Sequence, residues 1–265
     1  MFREALDLTG RVAVITGAAS GIGRSSAEVL ADLGAHVVCA DIDEARAAET
    51  AKSIVAAGGS ATSSRVDTSS AEQVDALIND AAAEHGRLDI VANIAGVMHL
   101  STVVETEEAD LDRVLAINFK GVFFGCRAAA RIMTRQGSGS IINMASGAVD
   151  TASSGLLCYG AAKAAVVQLT KTLATEVGPS GVRVNAIAPG WIVTGMTGRH
   201  WTDEEGHQDE ARKAAVSAPM AKMSPLRTVG EPTDISYAVA YLASDAAKFV
   251  TGQILRPNGG VAMPW

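Results

Sequence analysis

The sequence predicts an α/β fold, a doubly wound parallel sheet with helices on both faces, contained in a single domain spanning residues 1–265. Three observations carry that expectation. Short β-branched runs alternate with longer alanine-rich stretches of helical character. The first of these runs ends in a glycine-rich turn that opens a helix. No stretch rich in proline, glycine or serine is long enough to divide the chain. With 48% hydrophobic and 19% charged residues, and 26 glycines against 7 prolines, the composition is that of a chain able to bury a large core rather than a disordered or fibrous one.

In order, residues 11–16, 36–41, 61–66, 88–92, 140–144 and 182–187 read as strands, each apolar on both faces as buried parallel strands are. Residues 22–33, 44–57, 71–84, 111–134 and 159–177 have the length of crossover helices, and Ser70 with Gln73 forms a capping box at the start of the third. The irregular stretch is 194–229, where Gly198, Trp201, His207, Pro219 and Pro225 interrupt a weak helical pattern and Asp203, Glu204 and Glu205 cluster. Such a segment after a late strand reads as a substrate lid.

Charge and composition exclude several functions. The net charge of −7 leaves no basic stripe for a phosphate backbone, so nucleic acid is not an expected partner. The N-terminus carries Arg3, Glu4 and Asp7 in place of an apolar core, and no run approaches the length of a membrane span, so a cytoplasmic protein without membrane partners is expected. Cys39, Cys126 and Cys158 are scattered and lack metal-ligand spacing, which predicts reduced thiols and no metal, with Cys158 a small apolar filler.

The turn Thr16-Gly17-Ala18-Ala19-Ser20-Gly21-Ile22-Gly23 follows a strand and precedes a helix, the setting a phosphate-binding loop requires. Gly17 permits a tight exit from the strand, Gly21 lets backbone approach a pyrophosphate, and Gly23 allows the helix to pack closely on the sheet. The second strand ends in Asp41-Ile42. A carboxylate there accepts hydrogen bonds from the ribose hydroxyls of an adenosine and repels a 2′-phosphate, which favours NAD over NADP. Ser20 supplies no basic group to meet such a phosphate. Capping of the next helix is the alternative role for Asp41.

Tyr159 and Lys163 lie four positions apart on one face of a predicted helix, roughly 6 Å along its axis, so both can act on one atom. A phenol titrates near ~10, and a neighbouring ammonium favours its ionised form. By itself this spacing is also an ordinary helix-surface pattern. Ser146 follows the fifth predicted strand, at the carboxyl edge of the sheet where ligands bind. Asn118 interrupts a predicted helix, where its side chain or a freed backbone group can order a water near Lys163.

Together these residues resemble the short-chain dehydrogenase/reductase family, from about Leu8 to Gly260. Thr16–Gly23 is similar to its TGxxxGIG loop and Asn93-Ile94-Ala95-Gly96 to its NNAG segment. Asn118, Ser146, Tyr159 and Lys163 are similar to its catalytic tetrad in order and spacing. Asp67 resembles its adenine-binding aspartate. In Pro189-Gly190-Trp191-Ile192-Val193-Thr194, Ile192 and Thr194 stand where the nicotinamide carboxamide would be met. The resemblance implies a Rossmann-like fold and an NAD-dependent oxidoreductase in which Tyr159 is the acid/base, Lys163 holds the nicotinamide ribose and Ser146 positions the substrate oxygen. It also implies a homotetramer built through 111–134, 159–177 and a C-terminal strand near 253–256. Two positions depart from the pattern: Ile94 replaces an asparagine, with an expected effect on the central strand, and Asn258 stands where aspartate is frequent, with an expected effect on subunit contacts.

Val97, Met98, His99, Gly147, Val149, Leu156, Trp191, Met196 and Trp201 are the expected substrate side, and most are apolar. This suits a small apolar or cyclic secondary alcohol or ketone. His99 and His200 read as solvent or rim residues. Reduction of a 3-oxoacyl group on an acyl carrier protein is the alternative, although the loops 136–139 and 179–181 are neutral where the family's carrier-binding members present arginines. A non-catalytic NAD(H)-sensing protein is the third reading, opposed by the intact tetrad.

Overall fold

The computed structural model describes residues 2–198, 200–202 and 207–264. After a short helix α1 (Phe2–Leu6), the chain alternates β1 (Val12–Thr16), α2 (Gly21–Asp32), β2 (His36–Asp41), α3 (Glu44–Ala56), β3 (Ser60–Arg65), α4 (Ala71–His85) and β4 (Ile90–Asn93). The second half runs α5 (Glu108–Leu115), α6 (Gly121–Gln136), β5 (Gly139–Met144), α7 (Leu157–Val177), β6 (Val182–Ile187), α8 (Gly195–Gly198), α9 (Glu210–Met223), α10 (Pro232–Ala243) and β7 (Ile254–Leu255). All seven strands pair in parallel in the order β3-β2-β1-β4-β5-β6-β7.

The strand order reverses between β1 and β4, where Thr16 stands opposite Asn93. Chain leaving these two strands departs to opposite sides, and the crevice at their carboxyl ends is where ligands bind in such sheets. Side-chain alternation along the strands divides the core into two layers. Val14, Val91 and Ile141 face one way, against Val122 and Met133 of α6 and Val166 of α7. Ile15, Ile90 and Ile142 face the other way, against Leu30 of α2 and Ile235 and Val239 of α10.

Several sequence expectations are corrected. β3 is not apolar on both faces: it reads Ser-Ala-Thr-Ser-Ser-Arg and is largely exposed, because it is the edge strand and only one side is paired. The helix expected over 111–134 is two helices joined by a π-helical turn, Ala116–Lys120, in which Gly121 N donates to the Ala116 carbonyl. The capping box at α4 is half formed: Ser70 accepts from Gln73 N, but the Gln73 side chain accepts from Asp67 N instead. Within 194–229 the chain forms α8 and the fourteen-residue α9, which keeps Pro219 inside it. Asp203, Glu204 and Glu205 lie outside the described residues. α10 was not anticipated; Pro232 opens it, and the side chains of Glu231 and Asp234 close its first turn.

All three cysteines are free and buried. Burial pushes the Cys39 and Cys126 thiols up to about 12, and Cys158 packs against Val114 and Ala162 as the filler expected of it. Among the described residues no helix is long and apolar enough to cross a membrane.

Candidate active site

The glycine-rich turn lies at the end of β1 with the N-terminus of α2 above it. Gly17 has φ +77°, and a Cβ there would stand 2.9 Å from the Ala95 backbone, so a side chain is excluded both by conformation and by the loop after β4. A Cβ on Gly23 would collide with the Gly17 carbonyl. The first-turn amides of the twelve-residue α2 and its dipole therefore face an open groove with no side chain in the way, which suits a pyrophosphate. Asp41, at the end of β2, accepts from Ala19 N at 3.0 Å and from Asp43 N at 3.0 Å. Capping of α3 falls to Asp43, which accepts from Arg46 N, so the alternative role considered for Asp41 is not the one it takes. Asp67 is held by Ser69, whose N and Oγ both donate to it.

Thr16 Oγ1 accepts from Ile94 N at 3.1 Å and Ala95 N at 3.3 Å, which ties the turn after β1 to the loop after β4. Gly96 then passes close to two site residues: a Cβ there would lie 2.7 Å from Asn118 Oδ1 and 3.6 Å from Lys163 Nζ. The Asn118 side chain is bound on both sides of its amide, accepting from Val97 N at 2.8 Å and donating to Val97 O at 2.7 Å. It positions the loop at Val97. Asn93 also departs from its expected role at the cofactor. It is buried, donates to Asn143 Oδ1 at 2.9 Å, and Asn143 in turn donates to Thr170 Oγ1 of α7 at 3.0 Å, so this polar chain joins β4 and β5 to the helix that carries Tyr159.

Tyr159 and Lys163 project from the first two turns of α7 beside Ser146, which follows β5. Lys163 Nζ donates to the Met144 carbonyl at 2.8 Å and lies 5.6 Å from the Tyr159 ring centre. Both side chains are buried, and burial governs their protonation. The Tyr159 phenol is raised above its usual pKa by desolvation, with a hydrogen bond from Ser146 pulling it partway back. The same desolvation lowers Lys163 to about 8. The net shift of the phenol in the free protein is thus upward, opposite in direction to the ionisation that the sequence reading expected the lysine to favour, and its main cause is desolvation. A phenol held protonated at neutral pH is a proton donor already in place.

These groups share one cavity of about 700 Å³ that runs from the glycine turn to an apolar chamber. Its wall includes Ser20, Ile22, Asp41, Ile42 and Asp67 at one end, and Pro189, Gly190, Ile192 and Thr194 in the middle. Met98, Gly147, Leu156, Trp191 and Met196 line the chamber, as expected. Val149 and Trp201 do not: Val149 lies off the wall in the turn after Ser146, and Trp201 is 2% exposed, buried within the lid segment. His99 is bound to Ser101 and Asp110 and lies off the wall. His200 lies on the wall, with its ring 6.0 Å from that of Trp191.

Residues the sequence did not single out complete the chamber: Thr151, Ser154, Met220, Met223, Val261 and Ala262. The C-terminal tail reaches it through Asn258, which accepts from Gly260 N and donates to the Ala262 carbonyl. An aspartate has no donor for Ala262, so the amide of Asn258 serves this turn. Ile94 packs against the core layer of α2 and α10. Asp150, four residues after Ser146, forms a two-pronged ion pair with Arg256 at 2.7 and 3.1 Å, which stakes the Ser146 turn to the end of β7.

Residues 17–262 match the family model described as "Enoyl-(Acyl carrier protein) reductase". The chain is 40% identical over 253 residues to the cis-4-hydroxycyclohexanecarboxylate dehydrogenase of Sinomonas cyclohexanicum, covering 94% of this chain and 96% of that one. It is 37% identical over 255 residues to the 3-oxoacyl-[acyl-carrier-protein] reductase of Staphylococcus aureus, covering 95% and 98%. Among solved structures, a gluconate 5-dehydrogenase from Burkholderia cenocepacia in complex with NADP and tartrate superposes with a TM-score of 0.90 at 32% identity, covering 98% of each chain. A short-chain type dehydrogenase/reductase from Mycobacterium marinum gives 0.89 at 32% identity, covering 98% and 99%. These matches in sequence and in fold extend over nearly the whole chain, and the chain belongs to the short-chain dehydrogenase/reductase family of oxidoreductases.

Proposed function

We propose that the protein is an NAD-dependent dehydrogenase that interconverts a secondary alcohol and a ketone on a small alicyclic substrate. The observation that carries this reading is the convergence of Ser146, Tyr159 and Lys163 where the phosphate-binding groove meets a chamber lined by Met98, Leu156, Met196 and Met220. The groove suits a dinucleotide through its bare glycines, the α2 N-terminus and Asp41. A nicotinamide bound there supplies or accepts the hydride. Ser146 hydrogen-bonds the substrate oxygen, and Tyr159 gives its proton to that oxygen in ketone reduction or takes it in alcohol oxidation. Lys163 holds a ribose hydroxyl and passes the proton onward, its ammonium steadied by Met144. The segment 194–229 closes over the chamber, since α8 and α9 bring Met196, Met220 and Met223 to its wall. The Sinomonas relative named for a hydroxylated cyclohexane acid supports a ring substrate. Three buried, unpaired cysteines support a reducing, cytoplasmic setting.

The test is a screen of cyclic and linear secondary alcohols with NAD and NADP, read by absorbance of the reduced cofactor. Formation of NADH from cyclohexanols is expected; no reduced cofactor from any alcohol overturns the reading. A second reading, reduction of 3-oxoacyl thioesters, is favoured by the 37% identity to the Staphylococcus enzyme. The same screen run backward with acetoacetyl thioesters separates the two.

Cofactor preference rests on Asp41, whose carboxylate repels a 2′-phosphate. A neighbour of the same fold is in complex with NADP, so the fold by itself does not choose between the two dinucleotides. Asp41→Ala is expected to shift the ratio of NAD to NADP affinity at least ~10-fold toward NADP, about 1.4 kcal/mol. A wild-type preference for NADP in the same titration overturns the assignment.

We further infer a homotetramer assembled through the outer faces of α6 and α7, where Phe123, Ala130, Leu169 and Leu173 line an open apolar groove. Light scattering is expected to give four chains per particle, and a stable monomer overturns it.

A further inference from the structure

Among the described residues five buried side-chain polar atoms have no hydrogen-bond partner, and only one belongs to a residue on the cavity wall: the indole Nε1 of Trp191. The others, on Asp75, His85, Arg127 and Ser217, lie elsewhere. An indole N–H can only donate, and a buried tryptophan ordinarily has an acceptor for it. A donor left without one is a destabilising feature that calls for an explanation.

Its location supplies one. Trp191 follows Pro189-Gly190, and Pro189 O accepts from Gly147 N at 2.8 Å, so the tryptophan is tied through two short links to the turn that presents Ser146. It belongs to the same chamber as the reacting groups. The rest of that chamber is largely apolar, with Met98, Met196, Met220 and Met223 on its wall. Among the described wall residues, the Asp and Lys side chains are Asp41 and Asp67 at the far end of the groove and Lys163 at the reacting centre, with no arginine. Thr151 and Ser154 carry hydroxyls on the same wall, but among the described wall residues Trp191 Nε1 is the one buried side-chain donor that lacks a partner within the protein.

We propose that Trp191 Nε1–H is a substrate-recognition donor, so that the substrate is an alicyclic alcohol or ketone carrying a second acceptor oxygen, as a carboxylate or a carbonyl, remote from the reacting carbon. This rests on the dehydrogenase reading and narrows it. The acceptor completes the hydrogen bond that the free protein leaves unmade, while the methionine wall fits the ring. Because Nε1 is buried in the free protein, an acceptor reaches it only when the chamber wall shifts. A ring lacking an acceptor fills the chamber without relieving the orphaned donor.

The test uses unreactive ring compounds, so it reads binding without turnover. Calorimetry in the presence of NADH compares cyclohexanecarboxylate, cyclohexanecarboxamide and cyclohexylammonium on wild type and Trp191→Phe, which keeps an aromatic ring and removes the donor. The acid or the amide is expected to bind wild type about 10-fold more tightly than the variant, equivalent to about 1.4 kcal/mol, with no difference for the ammonium compound; whichever of the first two shows the loss identifies the acceptor as charged or neutral. Equal affinity of both proteins for acid and amide, or no binding of either to wild type, overturns the proposal. Should the variant fail to fold, the nitrogen-labelled Trp191 indole resonance of wild type decides: it is expected to move on addition of the acid or amide and stay in place with the ammonium compound, and an unmoved resonance throughout overturns the proposal. Failure of the dehydrogenase reading is distinguishable, because it appears as absence of NADH formation from every secondary alcohol while these binding results stand.

Discussion

Tyr159→Phe is expected to lower kcat/KM for alcohol oxidation roughly 10³-fold, within the range that a positioned acid/base contributes, while dinucleotide affinity stays within about 3-fold of wild type. The phenyl ring keeps the packing of a side chain that is 8% exposed, and the groove is built by Gly17, α2 and Asp41 rather than by the hydroxyl. Steady-state kinetics with a reduced-cofactor fluorescence titration checks both halves; a variant within 10-fold of wild-type turnover removes Tyr159 from the chemistry. The pH dependence follows from the directions found for the pair. With the phenol raised above its usual pKa, ketone reduction has its proton in hand at neutral pH, and alcohol oxidation accelerates as pH rises. Lys163 is charged below about 8 and loses its proton as pH rises through that value. Dinucleotide affinity in wild type should therefore decline above pH about 8, and Lys163→Met should be weak at every pH and lack this transition.

The second large effect lies in the phosphate-binding turn. Gly23→Ala is expected to weaken dinucleotide binding at least ~100-fold and to destabilise the fold by about 2 kcal/mol, the scale of overpacking in a close-packed site. A Cβ on Gly23 collides with the Gly17 carbonyl, so α2 must move off the sheet and its first-turn amides leave the groove. Gly178→Ala is the control, since a Cβ there meets nothing within 4 Å and its backbone has no positive φ. Thermal unfolding and NADH titration of the two variants check this; equal behaviour would show that helix–strand proximity does not shape the groove.

The turn and the tyrosine–lysine pair were legible because their physics is local. A tight exit from a strand needs glycine whatever surrounds it, and two side chains four positions apart share a helix face by geometry alone. The alternation of Val14 with Ile15 and of Ile141 with Ile142 likewise announced strands covered on both faces. Where a prediction depended on neighbours, it failed. β3 was expected to be buried because its predecessors were, yet its place at the edge leaves it polar. α10, an apolar helix between two irregular stretches, carried too weak a periodicity to separate from the lid.

The chamber shows the same division. Met220, Met223, Val261 and Ala262 come from α9 and the C-terminal tail, and no spacing in the chain joins them to Tyr159; folding does. Trp201, an aromatic in the predicted lid, looked like a pocket residue and is instead buried within that segment.

The amino-acid sequence alone thus determined the alternation of β1 to β6 with their crossover helices, the phosphate-binding turn and the sharing of one helix face by Tyr159 and Lys163, since each follows from short-range backbone and side-chain geometry. Tertiary structure alone decided that burial raises the Tyr159 phenol rather than lowering it, that Asn118 and Asn93 serve as supports, and that the Trp191 indole stands without a partner. Desolvation and hydrogen-bond completeness are properties of what surrounds a group on every side, and that surrounding is assembled from segments far apart in the chain.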